Sequence, residues 1–203
     1  MRNKTAYSYN FYRMCYLYIG PVIRFFRPFT VVGKENLLPG AAVVAANHSA
    51  MIDPFLTALS FDVSSPIHVL AKAELFKIPI VAFFLRKLGK ISVDRSKADV
   101  ASVKNSIYYL KKDEKILIFP EGTRAAEYNE VAAKIGVIKL AERTGAPIIP
   151  VFIPRKKPLF RKSKLIYGQP YLIEKQSAKR SQEDYEKLAD DLMGKIQELG
   201  NAS

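Results

Sequence analysis

The chain has 203 residues and a formal net charge of +13 at pH 7, from 32 Lys and Arg residues against 19 Asp and Glu residues. Its length and its 49% hydrophobic content suit one folded domain, with or without an appendage, and exclude a disordered chain. Its single cysteine, Cys15, excludes a disulfide scaffold and a Cys-based zinc cluster, and the basic excess indicates an anionic partner: nucleic acid, a membrane surface or a phosphorylated substrate.

The N-terminal segment, residues 1–29, is rich in aromatic residues and carries five basic residues and no acidic residue. Three arginines interrupt its apolar run, which is therefore too short for a bilayer-spanning helix of about 20 apolar residues. Gly20-Pro21 is expected to break a helix at this point. We therefore predict two short helices, at about 5–19 and 22–28, that lie in a membrane interface. Packing of the segment on the chain's own domain is the alternative.

The rest of the chain alternates short apolar runs, typical of buried strands, with segments of helical periodicity. The predicted strands lie at 30–32, 40–48, 67–71, 90–94, 115–120, 146–153 and 164–168, with the first and last at sheet edges. The predicted helices lie at about 54–60, 73–88 with a break at Pro79, 97–112, 130–144 and 182–199, the last with a capping box at Ser181 and Asp184. This alternation predicts an α/β domain over 30–203, in which helices flank a mixed, largely parallel sheet of about seven strands.

His48 and Asp53 follow the first long apolar run, and ligands in α/β folds bind at the carboxyl ends of strands. If His48 ends the strand and Asp53 begins the next helix, the carboxylate can accept a hydrogen bond from one ring nitrogen. The other nitrogen is then available as a general base. The chain has no convincing partner nucleophile, so such a base would activate a substrate hydroxyl directly. A helix-capping Asp beside an unrelated His is the alternative.

Polar residues suited to a phosphorylated ligand follow three other predicted strands. They are Glu121, Gly122, Thr123 and Arg124 after one strand, Arg95 after a second and Lys72 after a third. A carboxylate can accept a bond from a substrate hydroxyl, glycine permits close backbone approach, threonine donates a hydroxyl, and arginine presents a planar fork to phosphate. Ordinary turns with surface charges are the alternative interpretation.

Two further features have simpler interpretations. His68 lies inside an apolar strand, so we expect it to be structural. Residues 155–180 carry nine basic residues and one acidic residue, with Phe160 and Tyr167 interleaved. A nucleic-acid patch has this composition, but the chain contains no recognised nucleic-acid motif. We interpret the run as a solvated basic surface.

Four sequence blocks occur in order: NHSAMID at 47–53, GKISVDR at 89–95, FPEGTR at 119–124 and IIPVFI at 148–153. At these spacings the chain resembles the glycerolipid acyltransferases, and among them the bacterial PlsC-type 1-acyl-sn-glycerol-3-phosphate acyltransferases. The resemblance covers about residues 30–170, and the predicted N-terminal two-helix hairpin is also similar to that group.

The resemblance implies an enzyme that moves a fatty acyl group from acyl-CoA or acyl-ACP to the sn-2 hydroxyl of lysophosphatidic acid, which gives phosphatidic acid. His48 would be the general base and Asp53 its orienting partner. Arg124 and Arg95, with Lys72, would hold the acceptor phosphate, and Glu121 and Gly122 would position the glycerol. Neither a cofactor nor a metal is implied. The long acyl chains imply an apolar tunnel with residues 78–85 as a candidate wall, although an ordinary core helix is the simpler interpretation of that segment.

The resemblance also implies a peripheral or monotopic protein on the cytoplasmic face of a membrane. Residues 1–29 would anchor it, and residues 155–180 would face anionic headgroups or an acidic acyl carrier. The implied partners are the membrane surface, the lysophospholipid acceptor and the acyl donor, without nucleic acid. Two alternatives stay open: an acyltransferase of the same family that uses glycerol-3-phosphate or another lyso-lipid, and a noncatalytic basic module that binds membrane or nucleic acid.

Overall fold

The computed structural model describes residues 7–94, 99–121, 130–176 and 180–201. The helices in these ranges are α1 (Tyr9–Phe26), α2 (Asp53–Ser60), α3 (Pro79–Lys87), α4 (Val100–Leu110), α5 (Glu130–Thr144) and α6 (Gln182–Asn201), with short 3-10 helices at Lys34–Asn36 and Ala73–Lys77. The strands are β1 (Phe29–Val32), β2 (Ala42–Ala46), β3 (Ile67–Lys72), β4 (Ile91–Val93), β5 (Lys115–Ile118), β6 (Ile148–Phe152) and β7 (Ser163–Tyr167). Each predicted strand and each predicted helix of the body is therefore present.

The strands form one sheet in the order β1-β7-β6-β2-β5-β3-β4. Strands β6, β2, β5, β3 and β4 are parallel, whereas β7 pairs antiparallel with β6 and parallel with β1. The predicted mixed, largely parallel sheet is confirmed. The prediction that 164–168 forms an edge strand is wrong, because β7 lies between β1 and β6. Its Leu165 and Tyr167 are buried, and a local apolar pattern does not reveal how many neighbours a strand has.

The sheet separates two apolar layers, and the central strand β2 contributes to both. Its residues Val43 and Ala45 pack in one layer with Leu110, Ile138 and Leu192, which come from α4, α5 and α6. The alternate residues of β2 pack in the other layer, which includes Leu56 of α2. Every residue of β2 is fully buried, as expected for a strand covered on both faces. The carboxyl end of β2 therefore lies near the middle of one edge of the sheet.

The N-terminal two-helix hairpin is not observed: α1 is a single helix that continues through Pro21. Proline removes one backbone hydrogen bond from a helix interior, but contacts on both sides of Pro21 hold α1 against the end of α2. The hydroxyl of Tyr16 donates to the carbonyl of Phe61 at 2.9 Å, and the guanidinium of Arg24 donates to the carbonyl of Leu59. Gly20 packs so closely on Leu59 that an added Cβ would lie 2.8 Å from its Cδ2. Tertiary contacts thus override the local break.

The structure tests two expectations on individual helices, the burial of α3 and the start of α6. Helix α3 is not a core helix, because only Ala82 of its residues is buried and Ile80 is 74% exposed. Helix α6 begins as predicted with a capping box, in which Ser181 N donates to Asp184 Oδ2 at 2.9 Å and Asp184 N donates to Ser181 Oγ at 3.0 Å. Within the described residues, no helix combines the length and the apolar character that a bilayer span requires.

His68 is fully buried in β3, where both ring nitrogens face acceptors. Its Nδ1 lies 2.8 Å from the carbonyl of Gly89 and its Nε2 lies 2.6 Å from Oε2 of Glu114. The ring stacks on Tyr109, with centroids 3.6 Å apart. These contacts connect β3 to the loop before β4 and to the loop before β5, which supports the structural role expected from the sequence.

Candidate functional site

The candidate site lies at the carboxyl ends of three adjacent parallel strands, β6, β2 and β5. His48 follows β2, Glu121 follows β5, and Lys157 lies in the loop after β6. Asp53 is the first residue of α2, the helix that comes next after β2. Parallel pairing places all three strand ends at one edge, so residues distant in sequence meet there.

The carboxylate of Asp53 is the centre of the site and is fully buried. Its Oδ2 accepts hydrogen bonds from Nδ1 of His48 at 3.0 Å and from the backbone N–H groups of Ser49 and Ala50, each at 2.8 Å. Its Oδ1 forms an ion pair with Nζ of Lys157 at 3.0 Å. Burial raises the pKa of Asp53, but these contacts outweigh burial and hold the pKa below its ordinary value. Asp53 is therefore an anion at neutral pH.

The ring of His48 is held in one orientation. Because an ionised carboxylate only accepts hydrogen bonds, Nδ1 of His48 carries a proton, and in the neutral ring Nε2 is the nitrogen with the lone pair. The ring stacks on Phe119 with centroids 4.1 Å apart, and 16% of the side chain is exposed. The backbone N–H of His48 donates to Oε2 of Glu121 at 3.2 Å. This arrangement presents a basic nitrogen that is fixed but reachable, which is the geometry of a general base.

Lys157 is a buried residue of the candidate site that its sequence context does not predict. The basic run 155–180 is predicted to face solvent, but the Lys157 side chain is only 3% exposed. Its Nζ donates to Oγ of Ser49 at 2.8 Å and to the carbonyl of Pro154 at 2.5 Å, besides pairing with Asp53. The other candidate residues are identified by their positions just after core strands, and Lys157 has such a position. The many basic residues around it instead predict an exposed side chain.

The other predicted site residues are distributed as follows. Glu121 lies beside His48, whereas Lys72, at the end of β3, is exposed and pairs with Glu74 at 3.4 Å. The predicted residues Arg95, Gly122, Thr123 and Arg124 lie outside the described residues. The structure thus brings His48, Asp53 and Glu121 together from the predicted set.

Asn47 fixes the backbone just before His48. Its Nδ2 donates to the carbonyl of Ile153, and its Oδ1 accepts from the N–H of the same residue, both at 2.7 Å. Both residues are buried. The amide side chain thus extends the pairing of β2 with β6 beyond the last residue of β2 and positions the turn that carries His48.

We expect Asn47→Asp to lower the free energy of unfolding by about 2–3 kcal/mol, because a carboxylate would then face the Ile153 carbonyl in a buried site. Urea unfolding measures the change. Asn36→Asp is the matched control, since Asn36 donates a single bond to the Tyr167 carbonyl at 2.8 Å in a partly exposed position. A loss no larger for Asn47→Asp than for Asn36→Asp would contradict the two-bond bridge.

Comparisons with known proteins show the family to which the chain belongs. A family model described as Acyltransferase matches residues 28–154. The 1-acyl-sn-glycerol-3-phosphate acyltransferase of Bacillus subtilis is 33% identical over 177 residues, which cover 84% of this chain and 87% of that protein. The protein of the same name from Saccharomyces cerevisiae is 28% identical over 84% of this chain and 60% of its own length. The crystal structure of the 1-acyl-sn-glycerophosphate acyltransferase PlsC from Thermotoga maritima aligns with a TM-score of 0.61 and 26% identity, over 95% of this chain and 78% of that one. The chain therefore belongs to the PlsC-type 1-acyl-sn-glycerol-3-phosphate acyltransferase family.

Proposed function

We propose that the chain transfers a fatty acyl group from acyl-CoA or acyl-ACP to the sn-2 hydroxyl of 1-acylglycerol-3-phosphate, which yields phosphatidic acid. The observation that carries the proposal is the His48–Asp53 pair, in which Nδ1 lies 3.0 Å from Oδ2 of a buried carboxylate, so that Nε2 is the nitrogen that can serve as the base. The relatives from Bacillus subtilis and Saccharomyces cerevisiae are both named for this acceptor, which supports the same choice here.

In the proposed mechanism Nε2 of His48 removes the proton of the acceptor hydroxyl as its oxygen attacks the thioester carbonyl. The tetrahedral adduct then expels the donor thiol, and the imidazolium returns the proton to the departing sulfur. Asp53 stabilises the imidazolium through the bond to Nδ1. The hydroxyl is itself the nucleophile, so the reaction requires neither an acyl-enzyme nor a metal. A base in this position typically contributes about 10²–10⁴-fold to the rate.

The acceptor phosphate is assigned to Arg95 and Arg124, with Lys72 as a further contact, and the glycerol to Glu121, Gly122 and Thr123. Two placements support this assignment. Glu121 contacts the backbone of His48, and Lys72 ends β3, whose carboxyl end is at the same edge of the sheet as the site. A glycerol bound at Glu121 would have its sn-2 hydroxyl near His48. The phosphorus atom of the acceptor is two bonds from the sn-3 carbon, so the phosphate would lie close to the same site.

The proposed membrane contact is an apolar strip along the outside of α1. Its exposed members are Met14, Leu17, Tyr18, Val22 and Phe25 of α1, Ile80, Phe83 and Phe84 of α3, and Leu159 and Phe160 of the loop before β7. The rings of Phe11 on α1 and Phe83 on α3 contact each other, with centroids 6.1 Å apart. The rings of Phe25 on α1 and Phe160 in the loop before β7 also contact each other, with centroids 5.8 Å apart. The exposed apolar residues of α1 recur every three or four residues, and an apolar strip along one side of a helix is typical of a helix that lies in the plane of an interface.

An acceptor panel tests the proposed reaction. The purified chain would be supplied with labelled acyl-CoA or acyl-ACP and with lysophosphatidic acid, glycerol-3-phosphate or lysophosphatidylcholine. We expect labelled phosphatidic acid from lysophosphatidic acid as the fastest product with at least one donor. Faster acylation of glycerol-3-phosphate would change the acceptor within the family. Equal rates with lysophosphatidylcholine, or no product from any pair, would overturn the proposal.

A further inference from the structure

We propose that Lys157 is a positioning residue for acyl transfer, which holds the Asp53 carboxylate and keeps the His48 ring neutral and therefore basic. The inference rests on the proposed function, because it assigns Lys157 a role in the general-base step. Within the described residues, Lys157 contacts Asp53, Ser49 and the carbonyls of Pro154 and Arg155, and its link to the His48 ring is through Asp53.

Burial makes the pairing of Lys157 with Asp53 obligatory. The Lys157 side chain is 3% exposed and that of Asp53 is 0% exposed, so neither charge is stabilised by bulk water. Removing one partner of a buried ion pair leaves an uncompensated charge, which is strongly unfavourable. A lysine without this counterion would be more stable in solvent than in this buried position.

The contacts of Asp53 are divided between its two oxygens. Three donors converge on Oδ2, namely Nδ1 of His48 and the N–H groups of Ser49 and Ala50. Lys157 is the partner of Oδ1. The carboxylate is therefore held from both sides, which fixes its plane and hence the direction in which it holds the imidazole. Lys157 also donates to Oγ of Ser49, so the same ammonium group holds the turn after His48.

Lys157 also sets the charge balance around the ring. The titratable groups that face His48 in the described structure are Asp53 from α2, Glu121 from the end of β5 and, behind Asp53, Lys157 from the loop after β6. A buried carboxylate paired only with His48 would favour the imidazolium, which is not a base. The ammonium of Lys157 compensates the charge of Asp53 and thereby favours neutral imidazole in the resting enzyme.

The test is the pH at which the His48 ring takes up its proton. We expect Lys157→Met to move this midpoint upward by about one pH unit, and the acidic limb of the kcat/KM profile with it. On that acidic limb, kcat/KM would fall about tenfold for each pH unit by which the midpoint rises. The chain has only two histidines, so NMR of the labelled rings resolves His48 after assignment with His48→Ala. A merely structural lysine would lower the yield of folded protein without moving the midpoint.

Three variants complete the design. Lys157→Arg keeps the charge and should keep the midpoint near that of the wild type. Lys156→Met removes a neighbouring exposed charge and should also leave the midpoint unchanged. In an Asp53→Asn background, Lys157→Met should no longer lower kcat/KM, because the residue through which it acts is neutral. This double variant also removes the unpaired buried anion, so it remains informative if Lys157→Met alone does not fold.

The outcomes separate this proposal from the proposed function. An unchanged midpoint in folded Lys157→Met would overturn the role of Lys157. So would a fall in kcat/KM that is as large when Lys157→Met is added to Asp53→Asn as when it is added to the wild type. In either case, an active wild type would leave the proposed function standing. Wild-type protein without transferase activity, but with the expected NMR change in Lys157→Met, would refute the acyl-transfer step and retain the charge coupling among Lys157, Asp53 and His48.

Discussion

Replacing His48 with alanine should lower kcat for acyl transfer by about 10³-fold, while the protein stays folded. The loss is large because the substitution removes the group that accepts the hydroxyl proton, and no other basic side chain of the described site occupies the position of Nε2. The fold should survive, since the His48 ring is partly exposed and contributes one stacking contact with Phe119. Steady-state kinetics with lysophosphatidic acid, together with thermal unfolding, measures both effects.

Chemical rescue makes this prediction more specific. The His48→Ala variant should leave a ring-sized space between Phe119 and the Asp53 carboxylate, where free imidazole can stack and donate to Oδ2. We expect added imidazole to restore part of the lost rate, with a dependence on pH that follows neutral imidazole. His48→Phe fills that space and is the matched control, for which no rescue is expected. Activity of His48→Ala within about tenfold of the wild type would exclude His48 as the general base.

Asp53→Asn should lie between the wild type and His48→Ala. The amide keeps the size of the side chain, but it can present an N–H instead of an oxygen to His48 and so favour the wrong tautomer. It also leaves Lys157 without its counterion. The carboxylate does not cap α2, since its partners are His48, the turn before the helix and Lys157. The order of activities, wild type above Asp53→Asn above His48→Ala, therefore distinguishes a carboxylate that orients His48 from one that only holds the turn at Ser49 and Ala50. Equal activity of Asp53→Asn and the wild type would support the second role.

The parts of the fold that follow from local sequence were predictable. The helix predicted at 130–144 is observed at Glu130–Thr144, and the buried run at 40–48 contains β2, because burial of a continuous apolar segment is encoded in that segment itself. His48 and Asp53 were recognisable for a related reason. They lie immediately after a core strand, and the chain connectivity of an α/β fold places such residues at the ligand-binding edge.

The parts that depend on distant partners were not predictable in the same way. Pro21 continues a helix only because α2 supplies contacts on both sides of it, and β7 is internal only because β1 pairs with its outer edge. Lys157 is the clearest example, since the two residues before it are exposed basic residues, whereas Lys157 is buried in an ion pair with Asp53, a residue distant in sequence. The composition of the basic run 155–180 predicts exposed residues for the run as a whole, whereas Lys157 is one buried residue within it.

The second large effect is expected at the apolar strip. Changing Tyr18, Phe25 and Phe160 to serine should weaken binding to anionic vesicles by about 100-fold or more, since each large side chain contributes about 1.5–3 kcal/mol when fully buried. These residues are 75%, 68% and 60% exposed, so the fold loses little when they are changed. Vesicle sedimentation at low and high salt measures the loss, because the apolar contribution persists when salt screens the basic residues.

Leu172→Ser provides the matched control, because Leu172 is 61% exposed and lies outside the strip. It should bind vesicles as the wild type does, and equal weakening by both variants would contradict a defined membrane face. The strip variant should acylate a short-chain, water-soluble lysophosphatidic acid at nearly the wild-type rate but lose activity on the long-chain acceptor in vesicles. That difference is expected because the strip lies on α1, α3 and the loop before β7, whereas the base and its carboxylate lie at the strand ends. If activity on both acceptors fell equally, the strip would support the active site rather than dock the enzyme on a membrane.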